Sequence, residues 1–543
     1  MYIAPDSTIE FYNVKLDKSY NDTIFFGEAG TTSTLAKQRA YFNSHIIMEI
    51  DNNSYIRKDV GVIYVERTTS ALSACDYLGF TNLEFEDKWF YAFIDKVEYI
   101  NNETTAVYFT IDVMQTWFTF ATVKQSFIVR EHVQNDIAYS NIIDEDIGIG
   151  DVIQYFGLDA CKELRDMVAV AVSLFKKDGS TQAPITTVNG VYQGLNYLIF
   201  SSTSELQTWL YKMTDNGNIN DITSIFMFPK AMIKEGGYSP TIYKTFDKPD
   251  RLSSGYIPKN KKLLNYPYNF LQVTNNEGNT AVYRYERFGP GAGQFDFHIT
   301  ASVSGTPTIA AIPVSYGYTG RESEDVQIEN FSEMLTLQSF PQCSWAIDTY
   351  RAYCALNQNT LSNMANVQFP LMRQHSIAAG AESGLSAFTA LTRLDAGGVF
   401  KGATGTYFAI KDTEAEISAK LAQLRDMDLQ PPQIAGNVSS SVTASRNYKT
   451  FEFRECSIPV QQAQIIDNYF ELYGYKVNRF GSPAWGARKH WYYIKTLYTN
   501  IDGYIPADDL TVIKQILENG IRFWFNGDEL GNYTLDNHDG VPT

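Results

Sequence analysis

Six histidines, at positions 45, 132, 298, 375, 490 and 538, and five cysteines, at 75, 161, 343, 354 and 456, are the residues of this 543-residue chain best suited to hold a metal or attack a substrate. No two histidines stand at ligand spacing, so neither a structural nor a catalytic zinc site is expected. The cysteines are odd in number and form no CxxC pair, the usage of a reduced, disulfide-free protein made in a cytoplasm. HExxH, P-loop, EF-hand and GxSxG patterns are missing. The run GPGAGQ at 289–294 has the glycines of a phosphate cradle, but no Lys-Ser or Lys-Thr follows, and a plain turn is the better reading. Carboxylates number 61, yet no pair is singled out as the acid and base of a hydrolase. No enzyme, cofactor or metal is expected.

The formal charge of −17 argues against a protein that grips nucleic acid by its phosphates. It is compatible with a surface past which DNA slides, because like charges repel. Residues 440–500 run the other way, with eight Lys/Arg against four Asp/Glu. A solvated or inter-subunit face is the ordinary reading of such a run, and contact with DNA or an acidic neighbour the functional one. The first twenty residues have no basic region followed by an apolar stretch, so no signal peptide is expected.

Rings make up 14% of the chain, with 36 Tyr and 34 Phe, which favours pleated, half-buried strands. KWFYAFIDKVEYI (88–100) and TTAVYFTIDVMQTWF (104–118) read as a hairpin around NNE. Period two puts Val107, Phe109, Ile111 and Val113 on one face and Thr110 and Asp112 on the other. The first run is apolar on both faces near its start, as though another subunit covered the second face. An acidic, Gly-containing connection spans 134–160. Short apolar runs then alternate with turn clusters to about 330, with one helix near SSTSELQTWLYKM (201–213). The expected fold class is mainly β (α+β) and multi-domain, with barrel or sandwich domains and a long loop bracketed by helices. Its parts would be 1–133, a distal β-rich domain at 134–344, a helix-loop-helix at 345–432, and a completing domain at 433–543.

That loop, SIAAGAESGLSAFTALTRLDAGGVFKGATGTYFAI at 376–410, lies between a helical pattern at 345–369 and one that Pro431 and Pro432 stop. Its longest uncharged run, Ser383–Thr392, is half the roughly 20 residues that a lone spanning helix needs. Six glycines keep it pliable, and its small residues allow backbones to crowd. Ile377, Leu385, Phe388, Leu391, Val399, Phe400, Tyr407 and Phe408 supply its apolar contacts. On sequence alone it is either a loop packed on its own subunit or a segment with a function.

Several blocks resemble the tail knob, or distal tail tube, proteins of small short-tailed phages of the Picovirinae type. They are Lys88–Phe93, Ile111-Asp112-Val113, Gln115-Thr116-Trp117, SFIVREHV (126–133), Pro-Pro-Gln (431–433), YGYKVNR (473–479), ENGIRFW (518–524) and GNY (531–533). Trp89, Phe90, Tyr91, Asp112, Gln115, Trp117, Arg130, Glu131, His132, Tyr473, Gly474, Tyr475, Asn519, Gly520 and Trp524 carry the match as tube-building residues. The resemblance implies a structural virion protein, made in the host cytoplasm, whose six copies form the tail tube and knob at the distal end. It implies a channel for the ejected genome, closed by residues 376–410 until infection releases them toward the host membrane. The implied partners are an upstream tail or collar protein, tail appendage or tip proteins, the DNA in transit without sequence preference, and the membrane. Here the loop departs from the family's nearly uncharged one in carrying Glu382, Arg393, Asp395 and Lys401. The rival readings are a carbohydrate-binding tail-tip receptor without a gating loop, and a wall-degrading enzyme.

Overall fold

The computed structural model describes residues 7–51, 61–81, 85, 88–180, 187–188, 191–192, 196–216, 218, 222–234, 239–289, 293–303, 307–317, 329–344 and 449–538. The chain divides into two units. The first contains 1–152, 255–268 and 458–543, and the second 153–254 and 269–457. The division falls inside the acidic connection. Residues 255–268, in the span expected to form a distal domain, belong to the first unit.

In the first unit the strands of three or more residues are β1 (Ile9–Tyr12), β2 (Asp22–Ile24), β3 (Ile46–Ile50), β4 (Val62–Val65), β5 (Tyr77–Thr81), β6 (Trp89–Tyr99), β7 (Thr105–Ile111), β8 (Ser126–Glu131), β9 (Tyr475–Gly481), β10 (Trp491–Tyr498) and β11 (Ile521–Trp524). The helices that matter below are α1 (Thr32–Ser44), α2 (Val113–Trp117), α3 (Val460–Tyr473) and α4 (Ala507–Asn519). One sheet runs β3-β1-β5-β6-β7-β4 and a second β2-β11-β10-β8-β9, beside a two-stranded pair of Thr122–Val123 with Ile501–Asp502. The second sheet thus interleaves strands from the two ends of the chain.

The expected hairpin is β6–β7, with Val97 opposite Val107. Alternation along β6 sends Phe90 and Ala92 into a core with Phe80, Val107, Trp117 and Ile128. Tyr91 and Phe93 enter a second core with Phe42, Tyr77, Trp491 and Trp524. Phe42 stacks on Tyr91 with ring centroids 4.1 Å apart. The chain therefore covers both faces of β6 itself, and no second subunit is needed there. Each fully buried ring of this kind contributes about 1.5–3 kcal/mol. The period-two reading of β7 ends early, at Ile111. Asp112 is buried, not on a polar strand face, and its carboxylate caps α2 by accepting from Met114 N–H (2.9 Å) and Gln115 N–H (3.2 Å). Val113 is accordingly helical.

In the second unit three four-stranded sheets occur among the described residues. The helix Thr203–Asp215, where the sequence leads one to expect it, is capped by Ser202 Oγ accepting from Glu205 N–H at 3.2 Å. Its Trp209 and Met213 pack on Ala171, Leu198 and Phe200. The chain leaves this unit's strand Gln342–Ser344 and is described again from Lys449, just before the strand Glu452–Ser457. The two expected helices, Pro-Pro-Gln and all eight apolar positions from Ile377 to Phe408 lie outside the described residues.

Candidate functional site

The residues that carry the motif match gather along two lines of the first unit. The first line starts at Trp89, whose ring lies 3.6 Å below the Arg39 guanidinium. Phe90 and Tyr91 are core residues, and Phe90 meets Trp117 edge to face at 5.7 Å. Besides capping α2, Asp112 accepts from Tyr77 Oη at 2.8 Å. Burial outweighs these donors and raises its carboxyl to about 6. Gln115 ties α2 to β2, its Nε2 donating to Thr23 Oγ1 and to Ile24 O at 2.9 Å each. These residues hold the hairpin, α2 and β2 together.

The second line crosses β8, β9 and β10. Glu131 is buried and accepts from Tyr492 Oη and Arg479 Nε. His132 Nδ1 accepts from Tyr493 N–H at 2.9 Å, which leaves the proton on Nε2 to donate to Glu471 O at 3.0 Å. Burial, reinforced by Arg488, holds this imidazole well below its ordinary pKa, and it is a neutral structural group. Arg130 donates to Gly474 O at 2.8 Å and pairs with buried Glu145. Tyr475 Oη donates to Asp136 at 2.6 Å, and Tyr473 meets Tyr493 edge to face at 5.2 Å. Trp524 donates from Nε1 to Asp22 at 2.8 Å. Asn519 is exposed at the end of α4.

The two motif glycines stop helices where nothing larger fits. Gly474 ends α3 with φ +62°, and a Cβ there would stand 2.2 Å from Glu131 O. Gly520 ends α4 with φ +95°, and its Cβ would stand 2.1 Å from Tyr493 Oη. YGY and ENG are thus read physically as a left-handed stop pressed against the central sheet.

The polar groups of Asp112, Gln115, Arg130, Glu131 and His132 are engaged by neighbours within the same unit, while Tyr91 Oη and Trp117 Nε1 are buried without a hydrogen-bond partner among the described residues. Among the described residues no group of three or more His, Cys, Asp or Glu is placed to hold a metal ion. No helix among them is long and apolar enough to cross a membrane. Cys75, Cys161 and Cys456 are buried free thiols. At the GPGAGQ run, Lys248 Nζ donates to Phe288 O and, at 3.2 Å, to Gly289 O. Residues 290–292, the middle of the run, lie outside the described residues. Much of the basic surplus of 440–500 is also spent internally. Lys449 pairs with Glu277, Arg454 with Glu452, Lys476 with Asp146 and Arg479 with Glu131, while Arg488 is buried against Val133 O. Lys489 and Lys495 remain exposed, and Arg446 is outside the described residues.

Comparison with known proteins places this framework. The C-terminal domain of the tail knob protein gp9 of Bacillus phage phi29 matches residues 231–538 as a family model. The chain belongs to the tail knob protein family. The N-terminal part, residues 6–122, matches the caudoviral major tail protein N-terminus. Among curated relatives, the tail knob protein gp9 of Bacillus phage B103 is 25% identical and that of phage phi29 23% identical, each over 97% of both chains. A solved tail knob protein, gp12 of bacteriophage C1, shares the fold with a TM-score of 0.58 at 12% identity, covering 98% of this chain and all of that one. This tail knob protein is therefore a structural component of a phage virion tail. The first line of framework residues falls within the N-terminal match and the second, from Tyr473 on, within the C-terminal one.

Proposed function

We propose that six copies of this tail knob protein close a tube at the distal end of the tail, and that residues 376–410 plug its bore until infection. The observation that carries the reading is the apolar, Gly-rich segment itself, set within a chain that aligns end to end with tail knob proteins. In a monomer such a stretch is an aggregation liability, whereas around a shared axis six copies bury one another's apolar side chains. On release the segment meets the host membrane. Arg393 and Asp395 each cost about 3 kcal/mol at the centre of a bilayer, so six copies must line a wet pore that turns these charges to water. The upstream tail, tip proteins and the DNA in transit are the tube's partners.

Deleting Ser376–Ile410 tests this. Assembled tubes that stand open, on particles that adsorb but leak or fail to deliver DNA, are expected; normal infection refutes the gate. Wild-type protein should also release dye from liposomes. A carbohydrate-receptor reading draws support from exposed rings such as Tyr243 and Tyr504. Binding of purified protein to host wall polysaccharide would favour it.

A further inference from the structure

The outer face of the β8–β9–β10 sheet is covered over only half its length. At the upper half, residues 141–152 cross it as a strap. Glu145 pairs with Arg130 and accepts from Lys476 N–H at 2.8 Å, Asp146 meets Lys476 Nζ at 2.8 Å, and Gly148 O accepts from Gln462 of α3 at 3.4 Å. Register places Phe480 and Tyr498 on either side of Phe127, on the same face as Arg130 and further along the strands. There the cover stops. Phe480 is 64% exposed, Tyr498 62% and Leu497 69%, an apolar row beside exposed Lys495, and beside Lys124, which is 3.4 Å from Asp502. The strap is bare on its own outside. Ile142, Ile143 and Val152 are exposed together with Asp151, and no Lys or Arg occurs from 131 to 161.

We propose that the strap of a second copy of this chain covers the bare half of this sheet. The strap already shows the chemistry that this face accepts, with carboxylates on the sheet's basic groups. The uncovered half offers rings and a lysine to the exposed isoleucines and Asp151. A surface and its complement at different places on one molecule make a head-to-tail contact, the kind that closes rings. The inference rests on the ring reading above and assigns its interface.

The test uses full-length protein with two double variants, Phe480→Asp/Tyr498→Asp on the sheet and Ile142→Asp/Ile143→Asp on the strap. All four positions are exposed, and unchanged circular dichroism and melting would confirm that each variant folds. Expected in light scattering are rings for the wild type and monomers for either variant, with assembly weakened at least about tenfold. Mixing the variants should give one-to-one dimers, because such a pair has one intact strap on one intact sheet, and no rings. Rings that persist in either variant, or a mixture that stays monomeric, overturn the strap assignment while leaving the ring intact. A wild type that never forms rings overturns both readings.

Discussion

Asp467 offers the sharpest test of how the first unit captures residues 255–268 from the middle of the chain. Its carboxylate is 1% exposed. Oδ2 accepts from Tyr256 Oη and Lys259 N–H at 2.8 Å each, and Oδ1 from Asn260 N–H at 2.9 Å and Asn260 Nδ2 at 2.7 Å. Hydrogen bonds to a charged acceptor are worth about 1.5–3 kcal/mol each, but water replaces those on exposed donors. Tyr256 is half-buried and Lys259 exposed as whole residues, whereas Asn260 is only 2% exposed. Counting mainly the Asn260 donors, Asp467→Ala costs about 3 kcal/mol, which is a factor of more than 100 in local opening. Leu263, Leu264 and Tyr268 are also buried, and together contribute about 6 kcal/mol. The apolar anchor exceeds the polar one, so the segment should fray at 256–260 and stay docked beyond. Amide hydrogen exchange reads this directly: roughly a hundredfold faster exchange at Lys259 and Asn260, with little change at Leu264. Unchanged protection at the first two amides would refute the reasoning, and loss across the whole segment would show that the apolar share is overestimated.

Gly474→Ala forces a methyl against Glu131 O at a positive φ and should cost about 3 kcal/mol or more, seen as a lower urea midpoint; Gly278→Ala, at φ +99° with open space around it, should cost only about 1 kcal/mol. Burial lowers the Lys88 amine to about 7, while the Trp117 ring 3.3 Å away favours its charged form by about 1–2 kcal/mol. Between pH 7 and 10 the unfolded chain binds the extra proton, so stability should rise with pH in that window. Lys88→Met should flatten the rise in unfolding curves at pH 6, 8 and 10. Asp112 acts in a separate window: its folded carboxyl is raised to about 6 from 3.8, so stability should fall as pH climbs from 4 to 6. Asp112→Asn should remove that slope, and its persistence would assign the slope elsewhere. Asp22 accepts from Arg522, Trp524 and Tyr533, and although burial opposes them these donors hold its carboxyl below the usual range. Asp22→Ala should therefore loosen the C-terminal residues around Tyr533 by about 3 kcal/mol, measurable by proteolysis.

Legibility in the sequence followed the range of the physics. The β6–β7 hairpin and the helix at 203–215 were readable because period two, period 3.6 and a Ser cap act over a few residues. Asp112 misled because alternation runs on without a break into DVMQTW, and only the hydrogen bonds to Met114 and Gln115 show that the strand has become a helix. The apolar second face of β6 looked like a subunit contact because its cover comes from other elements of the chain, Phe42 and Tyr77 nearby and Trp491 and Trp524 some 400 residues away. The basic surplus of 440–500 dissolved for the same reason, since Glu131, Asp146 and Glu277 lie outside that window. The capture of 255–268 hangs on one carboxylate, Asp467, that nothing local distinguishes. For the motif blocks the sequence offered positions without roles, and the geometry shows what most of these residues do within the chain: cap, brace and stop.

The interleaving of β8 between β9 and β10 sets a schedule for manufacture. β8 ends at Glu131 and its neighbours begin at Tyr475 and Trp491, so the ribosome must add roughly 340 residues before either partner exists. At about 5–20 residues per second that is roughly 20–70 seconds, during which the nascent chain also emits its stickiest stretch, 376–410. A polypeptide broken off anywhere in that interval lacks three of the five strands of its second sheet. Such fragments cannot pose as finished building blocks, and a virion that admits only whole sheets is protected from incorporating them.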